Sequence, residues 1–281
     1  MPELILVHIG DVFPEYLNTC IAQISSVSAI HVHVLVNRCN IEKVKGATTV
    51  FPLESIPKND LQTQFEAQSR LDSSFRGGFW QFASLRFFYL YNYAKMAGLT
   101  DIFHIEYDNL IYYDIFQNIA PFRSKEMWCV MDAPNRCIPS FLYFKGLSIM
   151  ERLLTIIIDG SARRLNDMES LALFYNKNRG EVGALPIVSF YVDPIDPLYY
   201  EHAAAFGYLF DGACVGQYVG GVDPRNQAGD TVGFINETSV IKCNKMTVVF
   251  VDKKPVLNGI PLVNLHIHSK DLRRWISYYC N

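Results

Sequence analysis

The chain has 281 residues, 50% of them apolar and 19% charged, a profile that excludes intrinsic disorder and permits a sizeable buried core. Its formal net charge is -3, so no global basic field draws in nucleic acid or anionic lipid. No segment reaches the roughly 18 unbroken apolar residues of a membrane span, and no Pro/Gly/Ser-rich linker divides the chain, so a single domain over 1–281 is expected.

The first predicted element is a strand over residues 3–9 (ELILVHI), closed by Gly10. The opening residues lack a basic stretch and soon meet Asp11, which reads as a strand rather than a signal peptide. PEYLNTCIAQI carries apolar residues at helical spacing, and IHVHVLV (30–36) is a second apolar run ending at Asn37. Strand, helix and strand in that order open a parallel sheet. His31 and His33 alternate within the second strand; as an isolated pair they read as structural. FRGGFW (75–80), with Arg76 before two glycines, suggests a loop closing over a ligand at the positive end of a helix. The helix itself is predicted over 79–97, buried and stopped near Gly98. DIFHI is then a third strand that delivers Glu106 and Asp108 at its carboxyl end, where ligands gather in open α/β sheets.

Helices are predicted over 147–158 and 165–176, the second capped by Asn166 or Asp167. From 180 onward the chain is rich in Gly, Pro and aromatic residues, with a loop-like VGGVDPRNQAGD (219–230) and a short strand in MTVVFV. Seven cysteines, Cys20, Cys39, Cys129, Cys137, Cys214, Cys243 and Cys280, form no CxxC pair. An odd number without such spacing suits reduced thiols in a cytoplasmic compartment.

A buried carboxylate is costly unless it is paired or bound to a metal. Alternation along a strand aims Glu106 and Asp108 into one pocket and Tyr107 away from it. A lone acid-x-acid triplet is usually a solvated strand end. Here a second cue appears in VNLHIHSK (263–270), where Val263, Leu265 and Ile267 share one face and Asn264, His266, His268 and Lys270 the other. Hard carboxylate oxygens suit Mn or Mg, which complete their coordination with phosphates and water. Imidazole adds a common metal ligand, and a lysine neutralises phosphate as a point charge. Glu106, Asp108, His266 and His268 are the candidate metal ligands.

Arg86 in FASLRF, then Glu106-Tyr107-Asp108 after an apolar strand, then LHIHSK resembles the GT-A class of nucleotide-sugar glycosyltransferases. Within it the chain is similar to the glycogenin-like and bacterial galactosyltransferase group, in which an Arg on a helix precedes the strand bearing a DxD motif. By order of parts the resemblance covers the whole chain. It implies a Rossmann-like mixed, mostly parallel sheet flanked by helices, with a nucleotide-binding half over about 1–115 and a loop-rich half over about 116–281 that serves the acceptor and completes the metal site. It implies Asp108 as principal metal ligand, Glu106 in place of the first Asp on ribose or metal, and His266 or His268 as the late ligand. Lys270 would touch the diphosphate and stabilise the departing nucleotide. His8, Gly10 and Asn37 fall where the fold holds base and ribose, Tyr107 belongs to the same donor set, and Arg76 and Arg86 are candidates for the nucleotide or diphosphate.

For the acceptor, Asp167 and Glu169 stand where related enzymes place acidic or amide residues. Asp211, with Gln217 and Asp223, is the rival. At least one of Asp167, Glu169 and Asp211 is expected to be essential. The implied activity is transfer of a hexose-type sugar from a nucleotide-diphosphate donor, UDP-linked by resemblance, to a hydroxyl of a glycan or glycoconjugate. Two alternatives remain: a nucleotidyltransferase making nucleotide sugars, disfavoured because HIGDVFPEY after the first strand has no Lys or Arg, and an inactive sugar-binding or scaffold protein of the same fold.

Overall fold

The computed structural model describes residues 1–189, 196–223 and 247–278. A seven-stranded sheet runs in the order β3-β2-β1-β4-β7-β6-β8, built from β1 (Glu3–His8), β2 (His31–Val36), β3 (Thr49–Pro52), β4 (Ile102–Ile105), β6 (Met127–Ala133), β7 (Arg136–Phe144) and β8 (Val182–Ala184). The β1/β2, β2/β3, β1/β4 and β6/β8 pairs are parallel, while β7 is antiparallel to both β4 and β6. This is a mixed, mostly parallel sheet flanked by helices, as the resemblance implies.

The continuous apolar runs of β1 and β2 follow from burial on both faces. Leu4, Leu6, Val32, Val34 and Val36 pack into one core with α1 (Tyr16–Val27). Ile5, Val7 and Leu35 pack on the other side with α3 (Phe79–Ala97), α4 (Leu147–Ala162) and α5 (Asp167–Lys177). Each such aliphatic side chain contributes about 1.5–3 kcal/mol on full burial. α4 turns Ile149, Met150, Leu153, Leu154, Ile157 and Ile158 inward at helical spacing. α5 begins at a capping box in which Asn166 and Glu169 satisfy each other's backbone N–H.

Three features depart from the expected elements. DIFHI is the fourth strand, because β3 precedes it; β3 is a half-buried edge strand of four residues, too short for periodicity to mark. The β6–β7 hairpin occupies a stretch to which no element was assigned. α3 is not buried throughout: Phe79 and Phe82 are exposed, and its buried residues run from Ser84 to Ala94. Its aromatic content, rather than an apolar stripe, had marked it as buried.

Outside the large sheet, β5 (Asn109–Ile111) pairs antiparallel with β12 (Asn264–His266). Strands β9 (Val248–Val251), β10 (Lys254–Leu257) and β11 (Ile260–Pro261) form a small antiparallel sheet. The stretch expected as a loop from 219 begins inside a short helix, α7 (Cys214–Gly220), and from 224 lies outside the described residues. Among the described residues no helix is long and apolar enough to cross a membrane. Cys20, Cys129, Cys137 and Cys214 are buried free thiols and Cys39 an exposed one; Cys243 and Cys280 lie outside the described residues.

Candidate functional site

Glu106, Tyr107 and Asp108 do not continue the strand. They form the turn between β4 and β5, in which Asn109 N–H donates to Glu106 O at 3.1 Å. The strand alternation expected for this triplet is therefore wrong. The two carboxylates share a pocket because the turn faces β12, whose His266 lies opposite Asn109 in the β5–β12 register. Ile267 N–H donates to Asp108 O at 2.8 Å and closes that junction.

His266 Nε2 lies 3.1 Å from Asp108 Oδ1 and 3.3 Å from Glu106 Oε2. One donor atom from each of the three residues falls within 4.8 Å of the others. Adjacent ligands around an octahedral ion with bonds of about 2.1 Å stand about 3.0 Å apart, so two carboxylates and an imidazole at these separations fit a divalent cation. Lys270 Nζ pairs with the other Asp108 oxygen, Oδ2. His268 is not part of that group: its ring lies 4.2 Å from that of His266 and 3.3 Å from Gln217 Nε2.

The charges hold one another. Burial works against an ionised Asp108, but His266 and Lys270 outweigh it and keep the carboxyl well below its usual range. Glu106 is lowered in the same way, burial being overcome by Arg86 and His266. Burial also disfavours a charged His266, yet Asp108 and Glu106 raise it above an ordinary imidazole. His268 goes the other way: burial, with His266 and Lys270 beside it, holds it neutral.

Arg86, expected on the nucleotide, is directed to protein carboxylates. Its Nη1 donates to Glu106 Oε1 and its Nη2 to Asp167 Oδ2 at 2.7 Å. Glu106 and Asp167 both face Arg86, and its planar guanidinium fork reaches both. Asp167 is 2% exposed, and burial raises its carboxyl despite Arg86. Its Oδ1 is buried with no side-chain partner among the described residues.

The other two acceptor-side candidates have local backbone partners. Glu169 is exposed on the α5 capping box. Asp211, fully buried, accepts from Val215 N–H, Gly216 N–H and His266 N–H at 2.7–2.9 Å, so it ties α7 to β12. A Cβ at Gly216 would meet His266 O at 2.0 Å; only glycine lets α7 approach β12 this closely.

At the carboxyl ends of β1 and β2, Gly10 N–H donates to Asn37 Oδ1 at 2.8 Å, and Gly10 has a φ of +140°. His8 Nδ1 lies 2.9 Å from Tyr107 OH, and its Nε2 lies 3.0 Å from Val12 O. Tyr16, which the sequence did not single out, links this corner to the charges. Its ring is 5.6 Å from that of Tyr107 and 6.0 Å from Lys270 Nζ. Arg76 enters α3 through a turn at φ +49° and lies 3.9 Å from Asp223. Asn109 and Asn264 were also missed as a pair: Asn264 Nδ2 donates to Asn109 Oδ1, Asn109 Nδ2 to Ser140 O, and Asp211 N–H to Asn264 Oδ1. No sequence signal joins residues so far apart.

The architecture is a doubly covered, mostly parallel α/β sheet with a polar, charge-dense site beyond the carboxyl ends of its strands. No protein-family model matches the sequence, and no curated protein is similar to it at a significant level. Solved structures similar in fold include mouse xyloside xylosyltransferase 1 (8% identity, TM-score 0.49, 66% of this chain and 86% of that one). The galactosyltransferase LgtC is another (10% identity, TM-score 0.41, 66% and 73%), as is a cytidylyltransferase from Leptospira borgpetersenii (14% identity, TM-score 0.35, 64% and 74%). The chemistry of the site rests on this chain's own residues.

Proposed function

We propose that this protein is a divalent-metal-dependent glycosyltransferase that moves a sugar from a nucleotide-diphosphate donor, UDP-linked by preference, to a hydroxyl of a glycan or glycoconjugate in the cytoplasm. The observation that carries the reading is the convergence of Asp108, Glu106 and His266 around one point with Lys270 beside them. Asp108 and His266 would hold Mn or Mg, with Glu106 on the metal or the donor ribose; the ion would supply positive charge to the diphosphate as its bond to the sugar breaks. Lys270, paired with Asp108, would add charge to the leaving nucleotide. Residues 1–115 would bind the nucleotide, with His8, Gly10, Asn37 and Tyr107 at its edge, and 116–281 the acceptor, the two acting as one domain.

On the acceptor side, Asp211 and Glu169 have backbone work to do, so Asp167 is the remaining candidate for an essential carboxylate. Its contact with Arg86 supports a positioning role, holding the guanidinium against Glu106.

The test is a thermal-shift screen against UDP-, GDP- and dTDP-sugars with and without Mn, followed by turnover with the donor that binds. A Mn-dependent shift with one donor, lost in Asp108→Asn, is the expected result. No shift with any donor overturns the reading in favour of an inactive scaffold, and pyrophosphate release from a nucleoside triphosphate and a sugar phosphate overturns it in favour of a nucleotidyltransferase.

A further inference from the structure

At the other end of the parallel strands a second group of metal-ligating side chains is assembled. Glu3 opens β1, and the parallel register sets it beside His31 at the start of β2; His33, two residues on, shares the face of His31. The same register aligns Glu3 with Ile102. β4 runs on from Ile102 to Ile105, about 10 Å at 3.3 Å per residue, before the acidic turn begins, so the two groups are separate.

Glu3 Oε2 lies 3.3 Å from His31 Nδ1 and 3.0 Å from His33 Nε2. The imidazoles stack with centroids 4.5 Å apart, and one donor atom from each residue falls within 4.8 Å of the others. Donors on a tetrahedral zinc ion with bonds of about 2.0–2.2 Å stand about 3.3–3.6 Å from one another. The far ring nitrogens have hydroxyl partners: His33 Nδ1 is 2.8 Å from Tyr93 OH and His31 Nε2 3.3 Å from Thr49 Oγ1. A bound metal would displace the protons these nitrogens share with Glu3, and a proton on each far nitrogen, donated to those hydroxyls, would leave a lone pair on each nitrogen that faces Glu3. Outer hydrogen bonds of this kind orient histidines toward metals. Burial favours the neutral ring at His33, with Glu3 only partly opposing it.

We propose that Glu3, His31 and His33 form a second divalent-metal site, a two-imidazole, one-carboxylate set suited to zinc, with its fourth position open on the side of the half-exposed His31. Nitrogen-rich donors prefer zinc, whereas the oxygen-rich set at Asp108 prefers Mn or Mg. The sequence alone shows only the His-x-His pair, and the third ligand comes from a different strand.

The test uses the full chain, stripped of metal, with Asp108→Asn and His266→Gln introduced together so that the first site binds nothing. Zinc alone is titrated calorimetrically, and cobalt alone is titrated as a visible-absorption probe. The proposal expects one equivalent bound with a tetrahedral cobalt spectrum. Adding His33→Gln or Glu3→Gln should each weaken zinc by about 100-fold or more, and Tyr93→Phe by about 10-fold. Glu3→Gln keeps the experiment decisive should His33→Gln fail to fold, since Glu3 is only partly buried at a strand start. Absence of zinc and cobalt binding in the double variant, or binding undiminished by Glu3→Gln, overturns the proposal.

Discussion

Asn109 and His266 face each other across the β5–β12 pair, and this pairing brings the imidazole to the two carboxylates. β5 follows directly from the acidic turn, so whatever holds β12 against it also sets the distance from His266 to Asp108. A buried chain of amides does this, running from Ser140 O through Asn109 and Asn264 to Asp211 N–H.

Asn264→Ala is therefore expected to cost about 1–3 kcal/mol, because it leaves buried groups of Asn109 and Asp211 without partners. It should also weaken Mn binding, although Asn264 contacts neither carboxylate. Denaturant unfolding and a Mn titration on the same variant check both; a stability loss with unchanged Mn affinity would separate β12 from the metal site.

Arg86 is the only cation hydrogen-bonded to both Glu106 and Asp167 among the described residues. Arg86→Gln leaves the buried Asp167 without its cation and Glu106 with His266 alone, and is expected to destabilise the fold by about 3–5 kcal/mol. Arg86→Lys should rescue little, since an ammonium lacks the fork that spans both. Asp167→Asn in the Arg86→Gln background should recover part of the loss, a coupling that a double-mutant cycle in urea would measure.

His266 sets the pH dependence of the proposed metal site. Its pKa in the metal-free fold is raised above the ordinary value of about 6.5, and a metal needs the neutral ring, so proton and metal compete. Mn affinity should rise with pH until the raised pKa is passed, then level off. Stability runs in the opposite sense: the His266 contribution is fully present below about 6.5 and is lost as pH rises through the folded pKa. Calorimetry at several pH values, with His266→Gln expected to be flat, checks the competition.

His104 gives an acid-side effect of the other sign. Buried on β4, with Nδ1 donating to Ile5 O, it is lowered to about 4 by burial and by the nearby Arg86. The unfolded chain takes up the proton near 6.5 while the folded one does not, so stability is full above that value and falls as pH drops toward 4. The loss amounts to about 3 kcal/mol at about 1.36 kcal/mol per pKa unit. Melting temperatures between pH 7 and 4.5 should fall less steeply in His104→Gln.

Local signals carried the elements whose cause is local. The apolar runs of β1 and β2, the spacing in α1 and α4, and the Asn166–Glu169 box that starts α5 are properties of neighbouring residues, so periodicity and capping chemistry located them. The short edge strand β3 and the β6–β7 hairpin lack such a mark, and they escaped. The acidic turn, His266 and Lys270 were legible as residue types suited to a metal and a diphosphate. Their meeting was not, because a turn rather than strand alternation aims the acids and the β5–β12 register joins positions more than 150 residues apart. Tertiary packing also decided that Arg86 is held by Glu106 and Asp167, that Asp211 serves the backbone of α7 and β12, and that Glu3 completes the pair His31 and His33. Each is a partnership between strands or helices distant in the chain, where burial makes an unpaired charge or polar group too costly to leave alone.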